Sequence, residues 1–229
     1  MASQRAILLL RWKDLLFLHW KQDPAAIARH LPAGLRPDTY EGAGYVGLIV
    51  LTMQRVRPRF APPLPWISTF HQLNLRTYVR DAQGNPGVYF LALDADQPLA
   101  VWFARRWLGL PYHRSRIQLW SEQDGYWRVR AQRHGGAEVA RFEWSAQGGP
   151  FWAAPGSLEH FLTERYRLFV SRSSLISVEI RHPPFMLRRA EVADWDSWPL
   201  RQAGFELPGG PPESALTGGE VRVQIFPPG

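Results

Sequence analysis

Hydrophobic and polar residues alternate along most of this chain, and short turns separate the alternating segments. A period of two is typical of β-strands. Asp124-Gly125 and Gly135-Gly136 are tight-turn signals, which predict an antiparallel meander in the middle of the chain. Since eight or more strands in one domain require a closed or strongly curled sheet, the pattern predicts a mainly β, antiparallel fold of this kind. The predicted strands are Tyr45 to Val56, Ile67 to Arg80, Val88 to Asp94, Ser115 to Ser121, Tyr126 to Arg133, Ala137 to Ser145, Leu175 to Arg181, Phe185 to Val192 and Glu220 to Phe226.

About three short helices are predicted between these strands. The first has Asp23 as its N-cap and Pro24 at its first position, and it stops before Pro32. The third starts at Ser157 and contains Arg165.

The second helix is the most informative segment, because it ends at a Gly-Leu-Pro corner. Gly109 and Pro111 stop this helix and place Tyr112 and His113 at the start of the next strand. Alternation along that strand sends the two side chains to opposite faces, and we expect Tyr112 to point inward. One apolar face follows from residues that recur at i, i+3, i+4 and i+8, namely Leu99, Trp102, Phe103 and Trp107.

Length and composition predict one domain over residues 1–229, with a Gly- and Pro-rich loop over residues 207–219 before the last strand. The chain has no cysteine, which excludes disulfides and thiolate chemistry. The apolar run from Ala6 to Leu10 is too short to cross a membrane or to act as a secretion signal. We therefore expect a cytoplasmic protein with no membrane partner.

The formal charge of +7 raises the question of nucleic acid. Basic residues are spread along the chain, and the one local run, Arg55, Arg57 and Arg59, is typical of an exposed strand edge. We expect no nucleic-acid partner. Histidines lack paired metal-ligand spacing, and Gly42-Ala43-Gly44 precedes a strand and not a helix, so we expect no metal and no cofactor.

Several long motifs fall in one order that resembles the YqjF-like proteins, an uncharacterised bacterial family (domain of unknown function 2071). These motifs cover nearly the whole chain: LLFLHW, DPAAIARHLPAGLRPD, YVGLIVLTM, FHQLNLRTYV, GVYFLALDADQPLAVWFARRWLGLPY, PGSLEHFLTERY and IRHPPFMLRRAEV. The family is in turn similar to acetoacetate decarboxylase, an antiparallel β-barrel with a few helices. This second likeness is carried by Asp23 to Leu35 and by Arg105 to Tyr112.

The resemblance also implies what chemistry is absent. The decarboxylase uses a Schiff-base lysine directly after the proline of its motif. This chain has Tyr112 at that position, and the only lysines of this chain are Lys13 and Lys21. The decarboxylase also carries a glutamate on the strand where this chain has Gln72. The resemblance therefore implies the fold and a central cavity, without Schiff-base decarboxylation.

Four polar residues share one face of the strand from Ile67 to Arg80: Gln72, Asn74, Arg76 and Tyr78. This face either contacts solvent or lines the interior, where its polar groups need partners or a ligand. Arg105 ends the second helix. Glu164 is the one carboxylate among the candidates, and His182 lies at a strand break from which it can reach the cavity rim. The candidate ligand-binding residues are Gln72, Asn74, Arg76, Tyr78, Arg105, Tyr112, Glu164 and His182.

Two functions fit these residues. The first is a barrel that binds a small organic acid or ketone without covalent chemistry. The second is an enzyme that polarises a carbonyl or carboxylate with Tyr112, Arg105 and Gln72 as candidate catalytic residues. An interior filled by aromatic side chains would exclude both. The resemblance also makes a homo-oligomer plausible.

Overall fold

The computed structural model describes residues 5–122, 125–205 and 210–228. Over these residues it has thirteen β-strands and four short α-helices, and one sheet contains all thirteen strands. The strands are β1 Leu8–Gln22, β2 Leu35–Pro37, β3 Gly44–Pro58, β4 Phe70–Asp81, β5 Pro86–Ala95, β6 Tyr112–Ser121, β7 Tyr126–Arg133, β8 Ala140–Trp152, β9 Arg167–Ser171, β10 Leu175–Arg181, β11 Met186–Trp195, β12 Ser214–Gly218 and β13 Val221–Pro228. The helices are α1 Pro24–Ala28, α2 Pro98–Phe103, α3 Leu158–Thr163 and α4 Trp198–Gln202, and a π-helical turn, Ala104–Leu108, continues α2.

Four antiparallel strands in the order β1-β3-β4-β5 form the centre of the sheet. The other edge of β1 pairs with β13 along its first part and with β12 further on. The other edge of β5 pairs with β9 and then with β6. Strands β13-β10-β9 connect the two edges on one side, and β12-β11-β8-β7-β6 connect them on the other. The sheet therefore curls around two cores that share the four central strands.

The prediction of a mainly β protein with a curled sheet is confirmed, and the meander β6-β7-β8 is antiparallel as expected. The sheet as a whole is mixed, because β5 runs parallel to both β6 and β9. It does not form one clear antiparallel barrel. The physical reason is the helical connection from β5 to β6, which returns the chain in the same direction.

Both faces of the central strands are buried, which explains their long apolar runs. Leu16 and Leu18 of β1 point into one core, and Leu15 and Phe17 point into the other. The same alternation divides the side chains of β3 and β4 between the two cores. Period two along each strand therefore decides which core receives a given residue.

Local signals identify α1 correctly, since Asp23 accepts a hydrogen bond of 2.9 Å from the backbone N–H of Ala25. Four helices are found instead of three, and α3 ends before Arg165. The predicted loop over residues 207–219 is wrong in part, because Ser214–Gly218 forms β12 between β1 and β11. Pairing on both edges outweighs the weak strand propensity of this segment. Residues 207–209 and Asp124 lie outside the described residues.

Candidate functional site

The polar face of β4 lies inside the protein. Gln72, Asn74 and Arg76 are buried on one side of the strand, whereas Leu73 and Leu75 pack into the other core. The sequence left open whether this face contacts solvent or the interior, and the structure places it in the interior.

These three residues line a cavity of about 450 Å³. Its wall is mostly apolar and comes from the central strands together with β9, β10 and β13. Aromatic rings that contribute to this wall include Phe17, Phe70 and Phe90. The volume lies within the range of about 300 to 1,000 Å³ that is typical of small-molecule sites. The interior is therefore not filled by the chain's own aromatic residues.

Arg76 is the polar group with the most unusual surroundings. Its side chain donates a hydrogen bond of 2.9 Å from Nη2 to the carbonyl oxygen of Leu162. Its Nε is buried without a hydrogen-bond partner, and it forms no ion pair with any carboxylate of the described chain. Its guanidinium carbon lies 6.0 Å from the ring centre of Phe17 and 5.6 Å from that of Tyr78. A buried cation without a counter-ion is costly, and a bound anion would offset that cost.

A second arginine, Arg165, also lines the cavity but is fully paired. Its Nη1 lies 2.8 Å from Asp38 Oδ2, and its Nε donates to the carbonyl oxygen of Phe161 at 2.7 Å. Arg80 contacts the other oxygen of Asp38 at 2.7 Å. Burial lowers the pKa of Arg165, Asp38 opposes this shift, and the neighbouring Arg76 adds to it. Since Asp38 already serves two cations, Arg76 gives the cavity an uncompensated positive charge.

Tyr112 points into the cavity and is held by Gln72. Its hydroxyl donates a hydrogen bond of 2.9 Å to Gln72 Oε1, and burial raises the pKa of Tyr112. The corner before it depends on Gly109, which has φ of 68° and packs against Arg172. His113, the next residue, faces a different pocket. The tyrosine is therefore a neutral hydrogen-bonding group in the cavity wall.

Arg105 does not reach this cavity. It is exposed and lines a shallow pocket of about 260 Å³ whose other residues are His113, Arg114, Arg133 and His134. Ala104, one position earlier in the π-helical turn, is the residue that faces the cavity. Tyr112 and Gln72 are thus brought together, and Arg105 is separated from both.

Tyr78 lies behind the cavity wall, outside the lining. It is fully buried, donates a hydrogen bond of 2.7 Å to the carbonyl oxygen of Leu162, and lies 2.7 Å from His19 Nε2. Because Tyr78 donates to Leu162, His19 must donate from Nε2, which leaves its buried Nδ1 without a partner. Burial, aided by Arg76, holds the pKa of His19 well below its usual value. Sequence reasoning did not single out this histidine, which follows the apolar run Leu15 to Leu18 in β1.

Glu164, which directly follows α3, contacts the segment before β11, and His182 belongs to that segment. Glu164 accepts hydrogen bonds from the backbone N–H of Phe185 and the hydroxyl of Tyr166, and it does not line the cavity. His182 does line it, and its Nδ1 lies 2.8 Å from the carbonyl oxygen of Pro183. Burial lowers the pKa of His182. Glu164 therefore supports the backbone that carries His182.

The mouth of the cavity is formed largely by the apolar face of α2 and the turn after it. This face is predicted correctly as apolar but is not covered by the protein. Five of its lining residues are 38 to 60% exposed: Ile67, Leu99, Trp102, Phe103 and Leu108. Trp107 is equally exposed, at 59%, but does not line the cavity.

The described residues also bear on metal and membrane binding. Within residues 5–122, 125–205 and 210–228, no three His, Asp or Glu side chains are grouped as a metal site would require. No helix in the same ranges combines the length and the apolar character needed to cross a bilayer.

Solved structures identify the class of fold. Acetoacetate decarboxylase from Legionella pneumophila subsp. pneumophila str. Philadelphia 1 is similar over 99% of this chain and 86% of its own, with a TM-score of 0.67 and 13% identity. The enduracididine biosynthesis enzyme MppR complexed with pyruvate is similar over 100% of this chain and 89% of its own, with a TM-score of 0.59 and 14% identity. The fold is therefore acetoacetate decarboxylase-like.

The chain belongs to the DUF2071 family, described as an uncharacterized conserved protein, whose family model matches residues 10–219. It is 35% identical over 182 residues to the uncharacterized protein YqjF of Bacillus subtilis (strain 168). That match covers 79% of this chain and 75% of the relative. The predicted family resemblance is confirmed.

Proposed function

We propose that the cavity binds a small organic acid or ketone without covalent chemistry. The observation that carries this proposal is Arg76, a buried guanidinium that faces the cavity and has no counter-ion among the described residues. A carboxylate is the natural partner, because it accepts paired hydrogen bonds from a guanidinium. The side-chain amide N–H groups of Asn74 and Gln72, which also line the cavity, can donate hydrogen bonds to the oxygens of such a ligand.

The position of the two lysines supports a non-covalent function. Lys13 lies 3.4 Å from Asp14 and Lys21 lies 2.8 Å from Glu213, and neither lines the cavity. We infer that no Schiff base forms here. MppR, a protein with the same kind of fold, has been crystallised with pyruvate, which supports an organic acid as the class of ligand.

The enzyme hypothesis requires Arg105 to act together with Tyr112 and Gln72. Arg105 lines a different pocket, and burial makes Tyr112 a weaker acid by raising its pKa. Simple binding is therefore the function that this geometry favours.

A thermal-shift screen of organic acids and ketones tests the proposal on wild type, Tyr112→Phe and Arg76→Met. An acid present at a hundred times its Kd raises stability by about 2.7 kcal/mol, and this increase should persist in Tyr112→Phe and vanish in Arg76→Met. Each hit is then incubated with the protein and followed by NMR. Turnover that disappears in Tyr112→Phe would replace the binding proposal with the enzyme hypothesis, and the absence of any hit would overturn both.

The remaining proposals concern the state of the protein. We propose a cytoplasmic homo-oligomer of single-domain subunits that does not bind nucleic acid. Cell fractionation, light scattering, the number of cooperative unfolding transitions and a gel-shift assay at low salt test these four statements in turn.

A further inference from the structure

The cavity contains much more apolar wall than a small acid can cover. Its 450 Å³ corresponds to about fifteen water-sized groups at about 30 Å³ each. An acid of the size of pyruvate would contact Arg76 and leave most of this wall facing water. Apolar surface that stays in contact with water contributes no binding free energy, so the site is poorly matched to a small polar acid.

Gln72, Asn74 and Arg76 form a polar stripe along the central strand β4, and the cavity's other polar side chains, Tyr112, Thr163, Arg165 and His182, come from neighbouring segments. Arg76 lies at the far end of this stripe, and Gln72 lies nearer the mouth, where Phe70 packs with α2. Arg76 lies six positions after Phe70, so their Cα atoms are roughly 20 Å apart along the strand. The cavity is therefore long, with its fixed charge inside and its apolar end at the surface.

The mouth of the cavity is also apolar. Leu99, Trp102, Phe103 and Leu108 line it while remaining 40 to 60% exposed, although exposed large apolar side chains in a continuous patch are uncommon on a monomer. A ligand with an apolar tail that reaches the mouth would cover part of this patch.

We infer that the ligand is an amphipathic carboxylic acid, with its head at Arg76 and a long aliphatic or aromatic tail along the cavity towards α2. This inference rests on the proposed acid-binding function and specifies its ligand class. The charge without a counter-ion selects the head, and the apolar wall and mouth select the tail.

Calorimetric titration with straight-chain acids from butanoate to dodecanoate, below their micelle-forming concentrations, tests the inference. Each added methylene should raise affinity by about fourfold until the tail fills the cavity, after which affinity should level off. Octanol should bind at least tenfold more weakly than octanoate. Arg76→Met should remove this difference between the acid and the alcohol.

Two exposed tryptophans of the same helical segment provide a matched pair for the tail. Trp102 is 60% exposed and lines the mouth, whereas Trp107 is 59% exposed and does not. Trp102→Ala should weaken decanoate binding severalfold and leave butanoate binding unchanged. Trp107→Ala should change neither.

The outcomes separate the inference from the function beneath it. Short acids that bind as tightly as long ones would overturn the amphipathic ligand and leave acid binding intact. Long acids that bind equally to wild type and Arg76→Met would show adsorption to the surface patch and overturn the inference. No binding by any acid of the series or of the earlier screen would overturn the acid-binding proposal itself.

Discussion

Replacing Arg76 by Met should leave the stability of the ligand-free protein unchanged or raise it. Removal loses the charged hydrogen bond to the carbonyl oxygen of Leu162, worth about 1.5 to 3 kcal/mol, and a longer one of 3.4 Å to the Tyr78 hydroxyl. It also removes the cost of burying an unpaired cation, which is several kcal/mol. The Leu162 carbonyl keeps its hydrogen bond from Tyr78, and no carboxylate loses a partner. The free energy of unfolding should therefore stay within about 1 kcal/mol of wild type or exceed it.

Arg165→Met is the matched control, since this arginine lines the same cavity but is paired. Its removal takes one of two cations from the buried Asp38 and the donor from the carbonyl oxygen of Phe161. Breaking a buried pair in this way costs about 3 kcal/mol or more. For a chain of 229 residues this lowers Tm by about 6 to 12 °C, against about 4 °C or less for Arg76→Met.

Urea and thermal unfolding of the two variants, in buffers without carboxylic acids, provide the comparison. A loss of 3 kcal/mol or more in Arg76→Met, equal to that in Arg165→Met, would refute the reasoning. It would show that Arg76 is a structural residue whose surroundings already satisfy its charge.

Two further substitutions test the corner before Tyr112 and the buried histidine. Gly109→Ala should destabilise by about 1 kcal/mol more than Gly148→Ala, because both have positive φ but only at Gly109 does a new Cβ meet Arg172, at 2.7 Å. Equal losses in urea unfolding would show that Arg172 moves aside at no cost. Folded His19 has a lowered pKa, so below pH 6.5 the unfolded chain binds the extra proton and stability falls as pH falls, by at most about 1.4 kcal/mol per pH unit. The stability difference between wild type and His19→Gln should therefore slope below pH 6.5 and be flat above it, and a flat difference throughout would contradict this reasoning.

Alternation along single strands is the part of the site that the sequence predicts well. A period of two puts Gln72, Asn74 and Arg76 on one face of β4, and it separates Tyr112 from His113 on β6. These are local properties of an extended chain, so they survive errors in strand ends and in topology.

Contacts between residues far apart in the chain are the part of the site that the sequence does not predict. Asp38 meets Arg165 across 127 positions, and that contact decides that Arg165 is paired and Arg76 is not. The sequence did not predict that Arg105 lies outside the cavity; in the π-helical turn after α2, Ala104 faces the cavity and Arg105 is exposed. The helix signals themselves say nothing about whether its apolar face is covered.

The distribution of charge in the cavity argues against acid–base chemistry by Tyr112, Arg105 and Gln72, the candidate catalytic residues. No Asp or Glu of the described chain lines the cavity, and the Tyr112 hydroxyl is donated to Gln72. Among the lining residues that the structure describes, His182 is the one whose side chain can accept a proton: its Nδ1 can only donate to the carbonyl oxygen of Pro183, which leaves Nε2 as the basic nitrogen. Any proton abstraction detected in the turnover assay should therefore be lost in His182→Gln, with acid binding at Arg76 retained.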